Sequence, residues 1–343
     1  MLRRTFVSAS AAALAQTLPA PEKKVKIGID LFSIRSSPWN PFEFLDYCAK
    51  WKANVVHFSE IRFIGSLEPG HLGKVRNHAE KHGIELEIGM RSICPSSKAF
   101  DASQGTAEQQ IERMVAAAKT VGSKIVRAFL GTMNDRPGPI PIEGHIENTV
   151  KVLRNVRTRV IDSGVKIAIE NHAGDMQARE LKMLIEAAGK DFVGACLDSG
   201  NPLWVIEDPH LTLETLAPYV LTSHIRDTAV WKIPEGAAVQ WVRMGEGNVG
   251  IDSYLRRYLE LCPGKAITLE IIVTGARKFA YLDPKFWDGY RNVPAWEFSR
   301  FLSLVEKGKP RESRAPVPKE QAAQMEREDL EASLRWVRDF FKA

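Results

Sequence analysis

Three consecutive segments in the middle of the chain decide the fold: "SKIVRAFL" (123–130), "GHIENTVKVLRNVRTRVIDSG" (144–164) and "VKIAIE" (165–170). The first and third are short, apolar and rich in β-branched residues, which is typical of buried strands. The middle segment repeats apolar residues three and four positions apart and ends on Gly164, as an amphipathic helix does. A strand, a helix and a second strand in close succession predict a βαβ unit with parallel strands.

The same alternation continues on both sides of this unit. Further strand patterns are "VKIGIDLF", "NVVHFSE" and "IELEIGM" upstream, and "GACLD", "VLTSH" and "AITLE" downstream. Helical patterns separate them, and the eighth helix, "AWEFSRFLSLVEKG" (295–308), follows a long insertion. Eight βα units in about 280 residues predict a (β/α)8 TIM barrel of the α/β class. A doubly wound open sheet is the alternative, but no glycine-rich turn follows the first strand.

Both ends of the chain differ from the barrel in composition. We expect an export signal over residues 1–20, the barrel over 21–308, and a linker with a C-terminal docking helix over 309–343. The linker "KPRESRAPVPKE" is charged and contains prolines. The last segment places Leu330, Leu334, Val337 and Phe341 on one helical face, which indicates a helix that docks on the barrel.

The N-terminal segment "MLRRTFVSASAAALAQTLPA" has the features of an export signal. Arg3 and Arg4 precede an apolar, alanine-rich run, and a small-x-small site follows at residues 13–15. The Arg-Arg-x-Phe pattern is similar to the twin-arginine type, which carries folded proteins. The run is too short to span a membrane. The prediction is therefore periplasmic export, or a cytoplasmic location if the segment is not a signal.

Composition narrows the class of partner. The 343 residues are 44% hydrophobic and 26% charged, with a net charge of +5 and no block of lysines and arginines. This is ordinary for a globular protein and favours neither nucleic acid nor a membrane surface as partner. The cysteines are scattered without a CxxC pair, so neither a zinc ribbon nor a disulfide framework is indicated. They are Cys48, Cys94, Cys196 and Cys262.

Acidic or metal-binding residues end the last four predicted strands: Glu170, Asp198, His224 and Glu270. Strand C-termini of a TIM barrel converge on one face, where active sites lie. Three carboxylates held together beside an imidazole would repel each other as bare anions, and a divalent cation removes that cost. The donor set suits Mn²⁺, Mg²⁺ or Co²⁺ better than structural Zn²⁺. Helix N-caps or surface residues are the alternative interpretation of the four positions.

The motifs "IENH", "LDSGN", "SHIRD", "MGEGNVGID" and "TLEII" together resemble the sugar phosphate isomerase/epimerase family with the xylose isomerase-like TIM barrel. The resemblance covers about residues 25–306. It implies that Glu170, Asp198, His224 and Glu270 are metal ligands. It also implies that Glu170 and Glu270 are the catalytic acid/base pair. The implied cofactor is a divalent ion, with Mn²⁺ favoured and Mg²⁺, Co²⁺ or Zn²⁺ as alternatives.

Such a site predicts a carbohydrate isomerase or epimerase that removes a proton next to a sugar carbonyl through an enediolate. If a leaving group lies β to the carbonyl, the same site predicts a lyase, a dehydratase or a 3-keto-glycoside-cleaving enzyme. A nuclease like endonuclease IV would need more histidines at strand ends and a basic face. A metal-dead binding barrel would not need all four ligands. A two-carboxylate glycosidase would leave His224 without a role. Self-association stays open.

Four further residues are predicted to contact the substrate: His172, Asn201, Arg226 and Glu246. Two depart from the family pattern. Epimerases of the family often carry a histidine at the position of Asn201, and the wider family often has lysine at the position of Arg226. Glu246 lies in the loop that the family places between the His and the final Glu strands, and its alternative role is to cap the next helix.

Aromatic residues after the last two strands have two interpretations. Trp231, Trp241 and the insertion "YLDPKFWDGY" suit the faces of sugar rings, but packing of loops explains them equally well. His57, at the tip of the second strand, is interpreted as a core histidine in preference to a substrate contact.

Overall fold

Eight parallel strands form the predicted barrel in the computed structural model, which describes residues 25–342. The strands are β1 (Ile27–Asp30), β2 (Val55–Phe58), β3 (Glu85–Ser92), β4 (Ile125–Phe129), β5 (Lys166–Glu170), β6 (Val193–Asp198), β7 (Val220–His224), β8 (Asp227–Ile233), β9 (Gly236–Val242), β10 (Ile267–Leu269) and β11 (Arg277–Phe279). The barrel order is β10-β1-β2-β3-β4-β5-β6-β7. Ile225 closes the ring, since its N–H donates to the Thr268 carbonyl (2.7 Å) and its carbonyl accepts from the Glu270 N–H (3.1 Å).

Helices surround the barrel as the apolar periodicity predicts. They are α1 (Pro41–Lys50), α2 (Ile61–Ile64), α3 (Pro69–Lys81), α4 (Ala107–Val121), α5 (Ile142–Ser163), α6 (Ala178–Ala188), α7 (Pro209–Leu216), α8 (Ile251–Leu261), α9 (Ala295–Lys307) and α10 (Lys319–Phe340). Capping boxes start α1 at Asn40 and α4 at Thr106. Gly164 ends α5 with φ of 72°, a left-handed conformation that glycine adopts without strain. No helix within residues 25–342 is long and apolar enough to cross a bilayer.

A small antiparallel sheet follows β7, where the sequence was interpreted as a loop. β8 and β9 form a hairpin, and β11 pairs with β9 on its other edge. This sheet packs against α9 through a second apolar cluster that includes Val230, Val239, Phe279, Phe301 and Val305. The expectation of a simple loop was wrong. Apolar packing against α9 stabilises a hairpin here, and a regular alternation of strands and helices does not predict one.

The aromatic insertion after β10 belongs to the same cluster. Tyr281 and Tyr290 are buried in it, and Phe286 and Trp287 pack against it. Packing therefore explains this insertion, and Trp231 likewise lies in a small buried cluster of the antiparallel sheet.

Helix α10 packs against the barrel through an apolar face. Leu330, Leu334 and Val337 are fully buried in the main core, whereas Phe341 follows the helix and is half-buried. Polar contacts add to this packing, since Glu326 accepts from the backbone N–H and the hydroxyl of Ser36 (both 2.8 Å). The expected export signal lies outside the described residues.

Replacing Leu334 with alanine should destabilise the protein by about 2–5 kcal/mol, because the change leaves a cavity under a fully buried side chain. The free energy of unfolding from urea denaturation measures the effect. Glu328→Ala, at an exposed position of the same helix, should change stability by no more than about 0.5 kcal/mol. Equal losses in both variants would show that α10 does not contribute to the core as described.

Candidate metal centre

The four predicted ligands meet at the C-terminal end of the barrel. Glu170, Asp198 and His224 are the last residues of β5, β6 and β7, and Glu270 directly follows β10. Asp198 and His224 are direct partners in the strand register. One donor atom from each of the four lies within 4.8 Å of the others, and all four side chains are buried.

The orientation of the His224 ring fits a cation at this point. Its Nδ1 lies 3.2 Å from Glu170 Oε2 and 3.3 Å from Glu270 Oε2, and it has no hydrogen-bond partner among the described residues. On the other side of the ring, Nε2 lies 2.9 Å from His57 Nδ1 and 3.2 Å from Asp30 Oδ2. A histidine anchored through one nitrogen, with the other facing carboxylates, is the usual arrangement of a metal-binding imidazole.

Sequence analysis missed Asp30 and assigned His57 to the core. Asp30 ends β1, just as Glu170 ends β5, and it accepts hydrogen bonds from Ser59 Oγ (2.9 Å) and the Phe32 N–H (2.7 Å). His57 is fully buried beneath His224 and does not line the cavity described below. Both residues therefore orient His224.

Two buried arginines compensate the carboxylates. Arg127, in β4, pairs with Glu170, with Nε 2.5 Å from Oε2. Arg226 pairs with Asp198 (2.5 Å) and with Glu270, and its guanidinium stacks on Trp241 at 4.5 Å. Sequence analysis overlooked Arg127, although a single charged residue inside the apolar strand "IVRAF" indicates a buried charge that needs a partner.

These surroundings set the charge of the ligands. Burial alone would raise the pKa of the Glu170 carboxyl, but Arg127 and His224 outweigh burial and hold that pKa well below its ordinary value. Burial raises the pKa of Asp198, although Arg226 opposes the shift. Glu170 is thus kept ionised, the state in which a carboxylate binds a cation or accepts a proton.

A cavity of about 330 Å³ opens above the four predicted ligands. This volume is at the lower end of the range of about 300–1,000 Å³ for small-molecule sites. Glu170 and Glu270 line the cavity, whereas Asp198 and His224 lie beneath it. Its other walls combine apolar residues with polar ones. The apolar residues are Phe32, Phe129, Ala173, Trp241 and Ile272, and the polar ones are Ser59, Glu60, Arg91, Arg127, Thr132, His172, Asn201 and Arg226.

Three of the four predicted substrate contacts lie in this cavity. His172 stacks on Phe129 with ring centroids 4.0 Å apart, and its Nδ1 lies 2.8 Å from the Gly131 carbonyl. Because a carbonyl only accepts, Nδ1 carries the proton, and in the neutral ring the lone pair is on Nε2. Asn201 donates through Nδ2 to Glu170 Oε1 (3.1 Å) and through its backbone to Asp198 Oδ1 (2.7 Å). Asn201 therefore orients two of the predicted ligands.

The structure does not bring Glu246 to the cavity. Its side chain is exposed, and its carbonyl accepts from Arg311. The turn around it folds onto Asp227, which accepts from the N–H groups of Gly245 and Gly247 (3.0 and 2.9 Å). The alternative role does not hold either, because the N-cap of α8 is Gly250. The turn is thus held on the first residue of β8, and the Glu246 side chain does not line the cavity.

Comparisons with known proteins agree with the fold. The chain is 24% identical over 185 residues to 3-oxo-isoapionate decarboxylase of Pectobacterium atrosepticum. The aligned region covers 54% of this chain and 60% of that protein. The chain thus spans less than two thirds of the length of this curated relative.

Two solved structures share the architecture. The IOLI protein with a bound zinc atom has a TM-score of 0.58 at 17% identity, covering 90% of this chain and 98% of that chain. The 3-keto-D-glucoside 4-epimerase YcjR from Escherichia coli has a TM-score of 0.55 at 15% identity, covering 82% and 98%. Likeness at this level shows the fold alone.

The model of the family described as xylose isomerase-like TIM barrel matches residues 45–281. This range contains seven of the eight barrel strands from their first to their last residue, together with the site that Glu170, Asp198, His224 and Glu270 form. The barrel closure, the donor set and this match lead to one conclusion: the chain belongs to the xylose isomerase-like TIM barrel family.

Proposed function

We propose that the protein is a divalent-metal-dependent isomerase or epimerase that removes a proton next to the carbonyl of a small keto-sugar through an enediolate. One observation carries the proposal: four donors converge at the base of a cavity lined by Glu170 and Glu270, and one of them, His224 Nδ1, has no hydrogen-bond partner within residues 25–342. Oxygen donors with one imidazole favour Mn²⁺, with Mg²⁺, Co²⁺ or Zn²⁺ as alternatives.

A divalent cation held by Glu170, Asp198, His224 and Glu270 supplies positive charge that stabilises negative charge on substrate oxygens. Glu170 and Glu270 lie on either side of Asp198 and His224, because β6 and β7 separate β5 from β10 around the barrel. A proton can therefore leave one face of the substrate carbon to one glutamate and return to the other face from its counterpart.

The remaining cavity residues bind and orient the sugar. His172 Nε2 is a hydrogen-bond acceptor for a hydroxyl group, since Nδ1 donates to Gly131. Arg226 places positive charge beside the site, held in position by its stack on Trp241. Phe32, Phe129 and Trp241 offer apolar surface that suits the C–H faces of a sugar ring and reduces the access of water.

The loss of a group β to the same carbonyl is the second candidate. The observation that favours it is the similarity to a protein named 3-oxo-isoapionate decarboxylase. In a 3-oxo acid, the bond to the carboxylate breaks, CO₂ leaves, and its electron pair passes to the carbonyl, so the same charge stabilisation serves. A dehydratase or a 3-keto-glycoside-cleaving enzyme would use the same charge stabilisation in a different order: removal of the proton next to the carbonyl gives the enolate, which then expels hydroxide or the aglycone from the β carbon with the bonding electrons.

A substrate screen tests the proposed function. Protein loaded with Mn²⁺ is incubated with neutral keto-sugars, 3-oxo sugar acids and 3-keto-glycosides, and products are followed by NMR. Metal-dependent conversion of a keto-sugar into its isomer or epimer supports the first candidate, and release of CO₂ or an aglycone supports the second. Cleavage of abasic DNA in place of all of these would contradict both.

We also propose export through the segment that begins with Arg3 and Arg4. The mature protein from its native host should begin near Gln16 or later, which intact-mass spectrometry measures. As a control, Arg3→Lys/Arg4→Lys should leave the segment uncleaved, because the twin-arginine route requires both arginines. Wild-type protein that retains Met1 or Leu2 would contradict export.

A further inference from the structure

A second group of metal-binding side chains lies on the outside of the barrel. Asp46 belongs to α1, His78 belongs to α3, and His82 directly follows α3. His78 Nε2 lies 2.7 Å and His82 Nε2 lies 3.1 Å from the same atom, Asp46 Oδ1. The three donor atoms all lie within 4.8 Å of one another, and solvent reaches each side chain.

We propose that Asp46, His78 and His82 form a second metal site, which binds a divalent transition-metal ion such as Zn²⁺ independently of the centre in the barrel. His78 and His82 are four residues apart, so the helix places their rings on one face, one turn apart. Asp46 supplies the third donor from the neighbouring helix. Two imidazoles and one carboxylate suit Zn²⁺, Ni²⁺ or Cu²⁺ better than Mg²⁺ or Ca²⁺.

The geometry needs little change to accept the ion. A tetrahedral zinc with bonds of about 2.0–2.1 Å separates its donors by about 3.3 Å. The observed separations of 2.7 and 3.1 Å between Asp46 and the two histidines are slightly shorter, so small rotamer shifts suffice. Phe42 packs edge-on against the His78 ring, with centroids 5.4 Å apart, and holds this ring in place. Solvent can supply the fourth ligand.

The proposed outer site lies far from the metal centre in the barrel. In a βα barrel the helices run antiparallel to the strands, so the C-terminal end of α3 lies at the opposite end of the barrel from Glu170 and the cavity. A cation there also interacts favourably with the helix macrodipole. Since the ion would join α1 to α3 in the folded state only, its binding should raise thermal stability without changing turnover.

Zinc stoichiometry tests the proposal. Full-length protein is stripped with a chelator, titrated with ZnCl₂ by calorimetry, and analysed for bound zinc. Wild type should bind two Zn²⁺ per chain, and His78→Ala/His82→Ala should bind one. Asp46→Asn should weaken this site by at least ~10-fold, because even the loss of a group that only hydrogen-bonds to a metal ligand costs about 10–100-fold. Asp198→Ala/His224→Ala, which removes ligands of the barrel centre, should keep the outer site.

His71→Ala is the matched control, because His71 lies on α3 but bonds to the Ile64 carbonyl and not to Asp46. This variant should still bind two Zn²⁺ and show the same rise in melting temperature with ZnCl₂ as wild type. The proposal is overturned if His78→Ala/His82→Ala retains both ions, if Asp198→Ala/His224→Ala retains none, or if the outer site binds no tighter than millimolar.

Discussion

Glu270→Gln is expected to reduce turnover by about 10²–10⁴-fold while the fold is kept, and Glu170→Gln is expected to do the same. Each change removes a carboxylate that lines the cavity, and with it a proton acceptor and an anionic ligand. Glutamine has nearly the same shape, so packing around the site is preserved. The rate of substrate conversion under saturating Mn²⁺ measures the effect.

Glu246→Gln is the matched control for these variants. The side chain of Glu246 is exposed and lies outside the cavity, so this change should leave turnover unaltered. Circular dichroism and the unfolding midpoint show whether each variant is folded. Full activity in Glu170→Gln or Glu270→Gln would exclude the proposed acid/base pair, and loss of activity in Glu246→Gln would show that the loop reaches the substrate.

Removal of the metal is expected to reduce turnover by at least about 100-fold. A carboxylate is too weak a base to remove a sugar C–H proton unless the resulting negative charge is stabilised. Added Mn²⁺ should restore the wild type but not Asp198→Ala/His224→Ala, which lacks two of the four donors. Initial rates before and after chelation, with metal content measured in parallel, provide the test. Chelated protein that is free of metal and fully active would disprove metal dependence.

The barrel and the four donors could be predicted from sequence because both follow from local patterns. Strand and helix periodicity repeats along the chain, and glycines such as Gly164 mark where helices end. A residue at the last position of a parallel strand must lie at the catalytic end of the barrel, whatever the rest of the fold. Asp30 obeys the same rule at the tip of β1 and could have been included.

The partners of these donors could not be predicted in the same way. Arg127 lies within β4 and becomes meaningful only when the strand register places it beside Glu170. Likewise, the contact between His57 and His224 joins strands that are distant in sequence. Such pairs depend on tertiary geometry, which single-residue patterns do not contain.

The hairpin β8–β9 shows the limit of the βα pattern. Two β-rich runs flank Pro234 and Glu235, which is a hairpin pattern, but the expectation of strict alternation favoured a loop. The third strand, β11, has three residues and is too short to stand out. The position of Glu246 could not be predicted either, because its turn follows β9 and is held on Asp227 by contacts that depend on the tertiary structure.

The most direct test of the central claim is hydrogen exchange at the substrate carbon. Protein loaded with Mn²⁺ is incubated in D₂O with a keto-sugar that it converts, and NMR follows the C–H next to the carbonyl. If Glu170 and Glu270 remove and return the proton, the product incorporates solvent deuterium at that carbon, and Glu270→Gln slows the exchange. Product that forms with its hydrogen fully retained would instead require a hydride shift between neighbouring carbons and would contradict the acid/base roles of the two glutamates.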